Sequence, residues 1–202
     1  MRTTRLTLTT GLAALSLFAL AACTAPGSGD GGDGTGGTGS DGSSGGSGGL
    51  AGCMIGDWEL DIDDLAGQLQ AYFVENGTPV TSTEHTGTST LAVTADTMTY
   101  DTGVTFTMTA NSDGLIIVVT QDQIGTATGN WAVDGDSVLY SDWENGITIT
   151  TTITIEGQSA GDSTEMPGDT GEGVAMQTSC EGDTLTTQPD ASPFTSTWVR
   201  VG

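Results

Sequence analysis

The chain has 202 residues and a formal charge of −23, from 26 acidic side chains against 3 basic ones. It contains no Lys, so it lacks the cations that displace counterions from nucleic-acid phosphate or draw a protein to an anionic membrane surface. Three Cys and one His leave little for an ordinary four-ligand zinc site.

Residues 1–22 read as an export signal. Arg2 and Arg5 make a positive start, and Leu12 to Leu20 is an apolar run of signal-peptide length, shorter than the roughly 20 residues of a membrane-spanning helix. The run ends Leu20-Ala21-Ala22-Cys23, which resembles the bacterial lipobox. The resemblance implies that the Cys23 thiol is diacylglycerated and that cleavage makes Cys23 the mature N-terminus. Acyl chains such as palmitate would then anchor the protein to the cell membrane, facing the extracytoplasmic side; two chains hold stably where one does not. The alternative is an ordinary secretory signal cut near Ala22.

Residues 23–52 follow as a lipidated N-terminus and a linker. No apolar residue lies between Pro26 and Leu50, so nothing offsets the entropy of ordering the Gly/Ser/Thr/Asp text. A flexible coil of this length spans roughly 30 Å. Gly42-Ser43-Ser44-Gly45-Gly46 matches a nucleophile elbow and Gly27-Ser28-Gly29-Asp30-Gly31-Gly32 a dinucleotide loop, but neither has the strand before and helix after that the chemistry requires.

Residues 53–202 are the expected folded domain. With Cys23 lipidated, Cys53 and Cys180 remain, and an exported pair is normally bridged. A free redox pair would need C-x-x-C or an electropositive setting, and neither is present. Residues 60–75 predict a short helix: Leu60, Leu65, Leu69, Tyr72 and Phe73 recur on one face, Asp61, Asp63 and Asp64 sit at its start, and Gly77 with Pro79 marks its stop. His85 falls in a Thr-rich stretch read as a solvated loop. After Gly87 the pattern is strands. Val104 to Ala110, Ile147 to Thr150 and Ile153 to Ile155 alternate apolar and Thr, with Val104, Phe106, Met108 and Ala110 on one face. Leu115 to Val119 is a continuous apolar run, expected as a strand buried on both faces. Turn signals at Ser112-Asp113-Gly114, Asp134-Gly135-Asp136, Glu144-Asn145-Gly146 and Glu181-Gly182-Asp183 suggest an antiparallel barrel or barrel-like sandwich. Residues 157–172 read as a polar, mobile loop.

Three strings in this domain resemble lipocalin-like β-barrels of small bacterial lipoproteins: Gly56-Asp57-Trp58-Glu59-Leu60, Gly129 to Asp136, and Trp198-Val199-Arg200. The resemblance implies a mainly β fold whose final-strand Arg200 packs on the first-strand Trp58 and closes one barrel end.

No constellation of catalytic residues stands out. His85 is the single His, with no nucleophile motif beside it. Asp61, Asp63 and Asp64, or Asp134 and Asp136, have oxygens suited to calcium, but neither set fits the twelve-residue calcium loop; a helix start and a type I′ turn account for them. The Trp residues are expected in the core, with Trp143, between Asp142 and Glu144, the most exposed. We therefore expect a non-enzymatic, monomeric surface lipoprotein with no cofactor or metal. It would bind a small apolar ligand in a lipocalin-like module; alternatively it is an acidic interaction protein for a cationic protein or peptide, or a structural surface protein.

Overall fold

A computed structural model describes residues 49–167, 175–190 and 192–202. The readings of residues 1–22, Cys23 and most of the linker fall outside the described residues.

The fold is mainly β and antiparallel throughout. Helix α1 (Gly49–Met54) leads into β1 (Gly56–Leu60) and helix α2 (Ile62–Glu75). Long strands follow: β2 (Val80–Val93), β3 (Thr97–Ser112), β4 (Leu115–Asp134), β5 (Ser137–Asn145) and β6 (Thr148–Ile155). Two short strands, β7 (Gln158–Ser159) and β8 (Thr164–Pro167), precede β9 (Met176–Glu181), β10 (Thr184–Pro189) and β11 (Ser196–Arg200). Pairing runs β3-β2-β1-β11-β10-β9-β5-β4, and β3 also pairs β4, so eight strands form a closed ring. The ring's shortest seam is β5–β9, held by the register pairs Ser137↔Gln177 and Val138↔Met176.

Not all of the long strands belong to the ring. The second half of β4 pairs β5 from Ala127↔Asn145 to Asp134↔Ser137, while its first half pairs β6 from Ile117↔Ile155 to Ile124↔Thr148. Strands β5 and β6 thus run end to end along β4, joined at Gly146. Glycines mark this level on the neighbouring strands as well. Gly125 has φ 133°, and a Cβ there would strike the Gly146 carbonyl; Gly87, with φ 92°, approaches the Gly103 carbonyl in the same way. Close backbone approach of this kind bends a strand, and only Gly permits it. Beyond the bend, β2, β3, β4 and β6 form an overhang that rises past the ring.

Helix α2 lies on that overhang. Asp61 caps it, its Oδ1 accepting from the Asp64 amide at 3.0 Å, and Ile62, Leu65, Ala66 and Leu69 turn inward. Val104, Phe106 and Met108 are buried, and Val104 and Phe106 share the core of Trp58, Leu91, Met98 and Trp198. The strict apolar/Thr alternation therefore places its inward face as period two requires.

Several expectations are corrected. Residues 49–52, taken as the end of the linker, belong to α1, whose Leu50 packs on the core. His85 is not in a loop. It stands on β2 opposite Phe106, and its Nε2 is 2.9 Å from Asp63 Oδ1 on α2. The run from Leu115 is not buried on both faces: Leu115 and Ile116 are each 48% exposed, because the start of β4 lies at the overhang's free tip. Residues 158–167, within the expected loop, add β7 and β8 to the edge of β6. The turn at 134–136 has a positive φ at Gly135 alone (63°), unlike the type I′ pattern at Asp113-Gly114, where both central residues are positive (54° and 84°).

Candidate functional site

The two ends of the ring differ in chemistry. One end is closed by α1. Cys53 on α1 is disulfide-bonded to Cys180 on β9, with 6.0 Å between the Cα atoms. Trp58, fully buried, donates its indole N–H to the Met54 carbonyl at 2.8 Å. Opposite it in the β1–β11 register, the Arg200 guanidinium carbon lies 4.1 Å from the Trp58 ring centroid. The same guanidinium donates to the carbonyls of Cys53 (2.7 Å) and Ile55 (2.9 Å) and pairs with Asp183 at 3.4 Å. A helix end leaves carbonyls without partners and carries partial negative charge, so a forked cation suits it. Gly56, with φ 144°, is where a Cβ would run into that guanidinium. These groups satisfy one another, and the arrangement is structural.

The other end holds a cavity of about 240 Å³. Leu60, Leu91, Met98 and Ala127 line it from the ring strands, Ile147 from the β5–β6 junction, and Leu65 of α2 with Phe194 of the β10–β11 connection from above. The cap is tied down: Gln68 on α2 donates to the Thr195 carbonyl and accepts from the Thr195 amide, both at 2.9 Å. Phe194 meets Tyr72 edge-on at 5.2 Å.

Six aromatic side chains line the cavity, Phe106 and Phe194 together with two pairs. Tyr100 and Trp198 pack edge-to-face at 5.9 Å, and Trp198 donates to Thr187 Oγ1 at 3.1 Å. Tyr140 and Trp143 on β5 are 5.2 Å apart. Trp143, expected to be exposed, is half-buried instead. Its ring lies across Gly129, where a Cβ would collide with it, and its indole nitrogen is buried with no hydrogen-bond partner. Burial pushes the Tyr140 phenol above its ordinary value, so it stays neutral. At the level of the bend, Ser89 and Thr102 share a buried 2.7 Å hydrogen bond, which the Tyr100 hydroxyl joins at 3.4 Å.

The carboxylates considered for calcium have other work. Asp61 caps α2, Asp63 meets His85, and Asp64 accepts from Gln68 and Thr197. Asp134 ends β4 and Asp136 lies in the β4–β5 turn. Among the described residues no three His, Cys, Asp or Glu side chains gather as a metal site would require.

Periodicity missed Tyr100, Tyr140 and Phe194 as cavity residues. Val138 and Tyr140 alternate with exposed Leu139, a signal that they point inward. Which inward residues face one another across the ring depends on strand order, which periodicity does not carry.

Comparison of the chain with protein-family models, with curated proteins and with solved structures finds no match.

Proposed function

We propose that this is a non-enzymatic, lipid-anchored surface protein whose strand ring is a lipocalin-like β-barrel binding a small apolar molecule. The apolar cavity between Leu91, Met98, Trp143 and Trp198 carries this reading. Its volume is below the roughly 300–1,000 Å³ of drug-sized sites, so the ligand is a small ring system or one end of a longer chain. The lipobox-like Leu20-Ala21-Ala22-Cys23 supports the anchor, and Cys23→Ala should move the protein from the membrane to the soluble fraction. Retention on the membrane would refute the anchor.

A saturable titration with the neutral dye 1-aminoanthracene tests the cavity. Ala127 is 1% exposed and lines the space, so Ala127→Phe fills it. Dye emission should rise to a one-to-one endpoint in the unaltered protein and fail to rise in the filled variant. An identical response from both would place the dye elsewhere and reject the reading.

The formal charge of −23 favours a second reading, capture of a cationic protein or peptide on the acidic surface. Salt separates the two. Ionic capture weakens steeply as screening shortens to about 3 Å near 1 M salt, whereas apolar burial does not.

A further inference from the structure

The ligand-cavity reading above can be taken further, to the charge and polarity of the ligand. The chain is strongly acidic, yet the cavity wall carries no Asp, Glu, Lys, Arg or His among the described residues. Among the described residues, the cations that would neutralise an acid are elsewhere. Arg200 is committed to α1, Trp58 and Asp183 at the opposite end, and His85 faces Asp63 on α2, outside the wall. A carboxylate or phosphate entering this space would lose its hydration and find no counter-charge, with the acidic surface repelling it on approach. A fatty-acid head group is therefore a poor fit.

The wall also has donors to spare. The Tyr140 hydroxyl makes no hydrogen bond among the described residues, and the Trp143 indole N–H beside it is buried without an acceptor. Buried donors are normally paired, and leaving one unpaired is costly. By contrast the Tyr100 hydroxyl donates to Ser89, which bonds Thr102, and the Trp198 indole donates to Thr187. Both groups stand on β5 within three residues, past the Ser137 and Val138 that pair with β9.

We infer that the cavity selects an uncharged molecule bearing a hydrogen-bond acceptor oxygen, such as a ketone, ester or ether, with that oxygen seated at the Tyr140–Trp143 wall. Tyr140 supplies the hydrogen bond and Trp143 the adjoining ring face. The apolar remainder of the ligand lies against Leu91, Met98 and Trp198.

The test compares three probes of one size on the mature chain from residue 23, with Cys23→Ser to keep it free of detergent. Acetophenone carries the acceptor, ethylbenzene lacks it, and benzoate replaces it with a charge. Binding is read by nuclear magnetic resonance, following the Trp143 indole proton, assigned by its loss in Trp143→Phe. Acetophenone should bind about threefold to tenfold more tightly than ethylbenzene, the range of one net hydrogen bond. It should move the Trp143 indole proton, whose ring adjoins Tyr140, and benzoate should bind more weakly than either. Tyr140→Phe, which keeps the ring, should bring acetophenone down to ethylbenzene and leave ethylbenzene unchanged. Equal binding of acetophenone and ethylbenzene to the unaltered protein, or benzoate as the tightest probe, would overturn the inference while the apolar-cavity reading stands. Failure of all three probes to bind would overturn that reading and this inference together.

Discussion

Arg200 joins three elements through one side chain. Its planar fork reaches two carbonyls around the end of α1 while its face covers Trp58. Lys is a point charge and cannot do both. Arg200→Lys should therefore destabilise the fold by about 1–3 kcal/mol, the scale of hydrogen bonds to a charged group. The check is a lower urea midpoint with an unchanged slope. This contact was legible in the sequence through the Gly56-Asp57-Trp58 and Trp198-Val199-Arg200 strings, but the role of Gly56 as the gap for the guanidinium needed coordinates. Tyr140 makes the opposite case: nothing in Val138-Leu139-Tyr140 distinguishes a cavity residue from a packed one. Its burial has a consequence for pH. The phenol's folded value is raised above the ordinary 10.0, so the unfolded chain ionises first and the native state holds more protons. Stability then falls as pH rises through about 10. Tyr140→Phe should lose that part of the alkaline slope, measured as the change in melting temperature between about pH 9 and pH 11.

At the scale of elements, strand and helix identity followed from pattern where one face is buried and the other wet. Helix α2 begins at Ile62 with Asp61 as its cap, as its acidic first turn indicates, although Leu60, expected on its face, ends β1 instead; β3 buries Val104, Phe106 and Met108 in alternation. Pattern failed where burial is set by what lies above a strand. His85 reads as loop text but sits under α2, and Leu115 and Ile116 read as interior but stand at an uncovered tip. The bend from ring to overhang is encoded by glycines whose spacing carries no period. Gly125→Val should cost at least about 2 kcal/mol, from a strained φ and the collision with the Gly146 carbonyl. Hydrogen exchange should quicken most in β6 and β8, which hang on this bend, and least in β10. Uniform quickening would mean that the overhang is not a separate unit.

For the whole molecule, closure is the central property. The ring returns on itself through the short β5–β9 seam, and the Cys53–Cys180 disulfide fastens β9 to α1 beside it. The bridge spans a sequence separation of 127, for which the chain-entropy account gives a stabilisation of up to about 5 kcal/mol. Reduction should accordingly lower the melting temperature by up to roughly 10–20 °C, at about 2–4 °C per kcal/mol for a domain of this size. The pairing of Cys53 with Cys180 was open to inference because the expected lipidation of Cys23 leaves two cysteines to bridge. The strand order was not, because register is a long-range property decided by packing rather than by local period. The two-sided character of the ring, satisfied at one end and left with spare donors at the other, is equally a product of that order.

The most direct measurement of the ligand account is native mass spectrometry of residues 23–202, oxidised and incubated with a bacterial lipid extract. The account predicts one discrete adduct at one-to-one stoichiometry, uncharged, retained at high salt and lost in Ala127→Phe. A bare protein mass throughout would contradict it: the ring would then be filled by its own side chains, and the acidic surface would be the place to seek a partner.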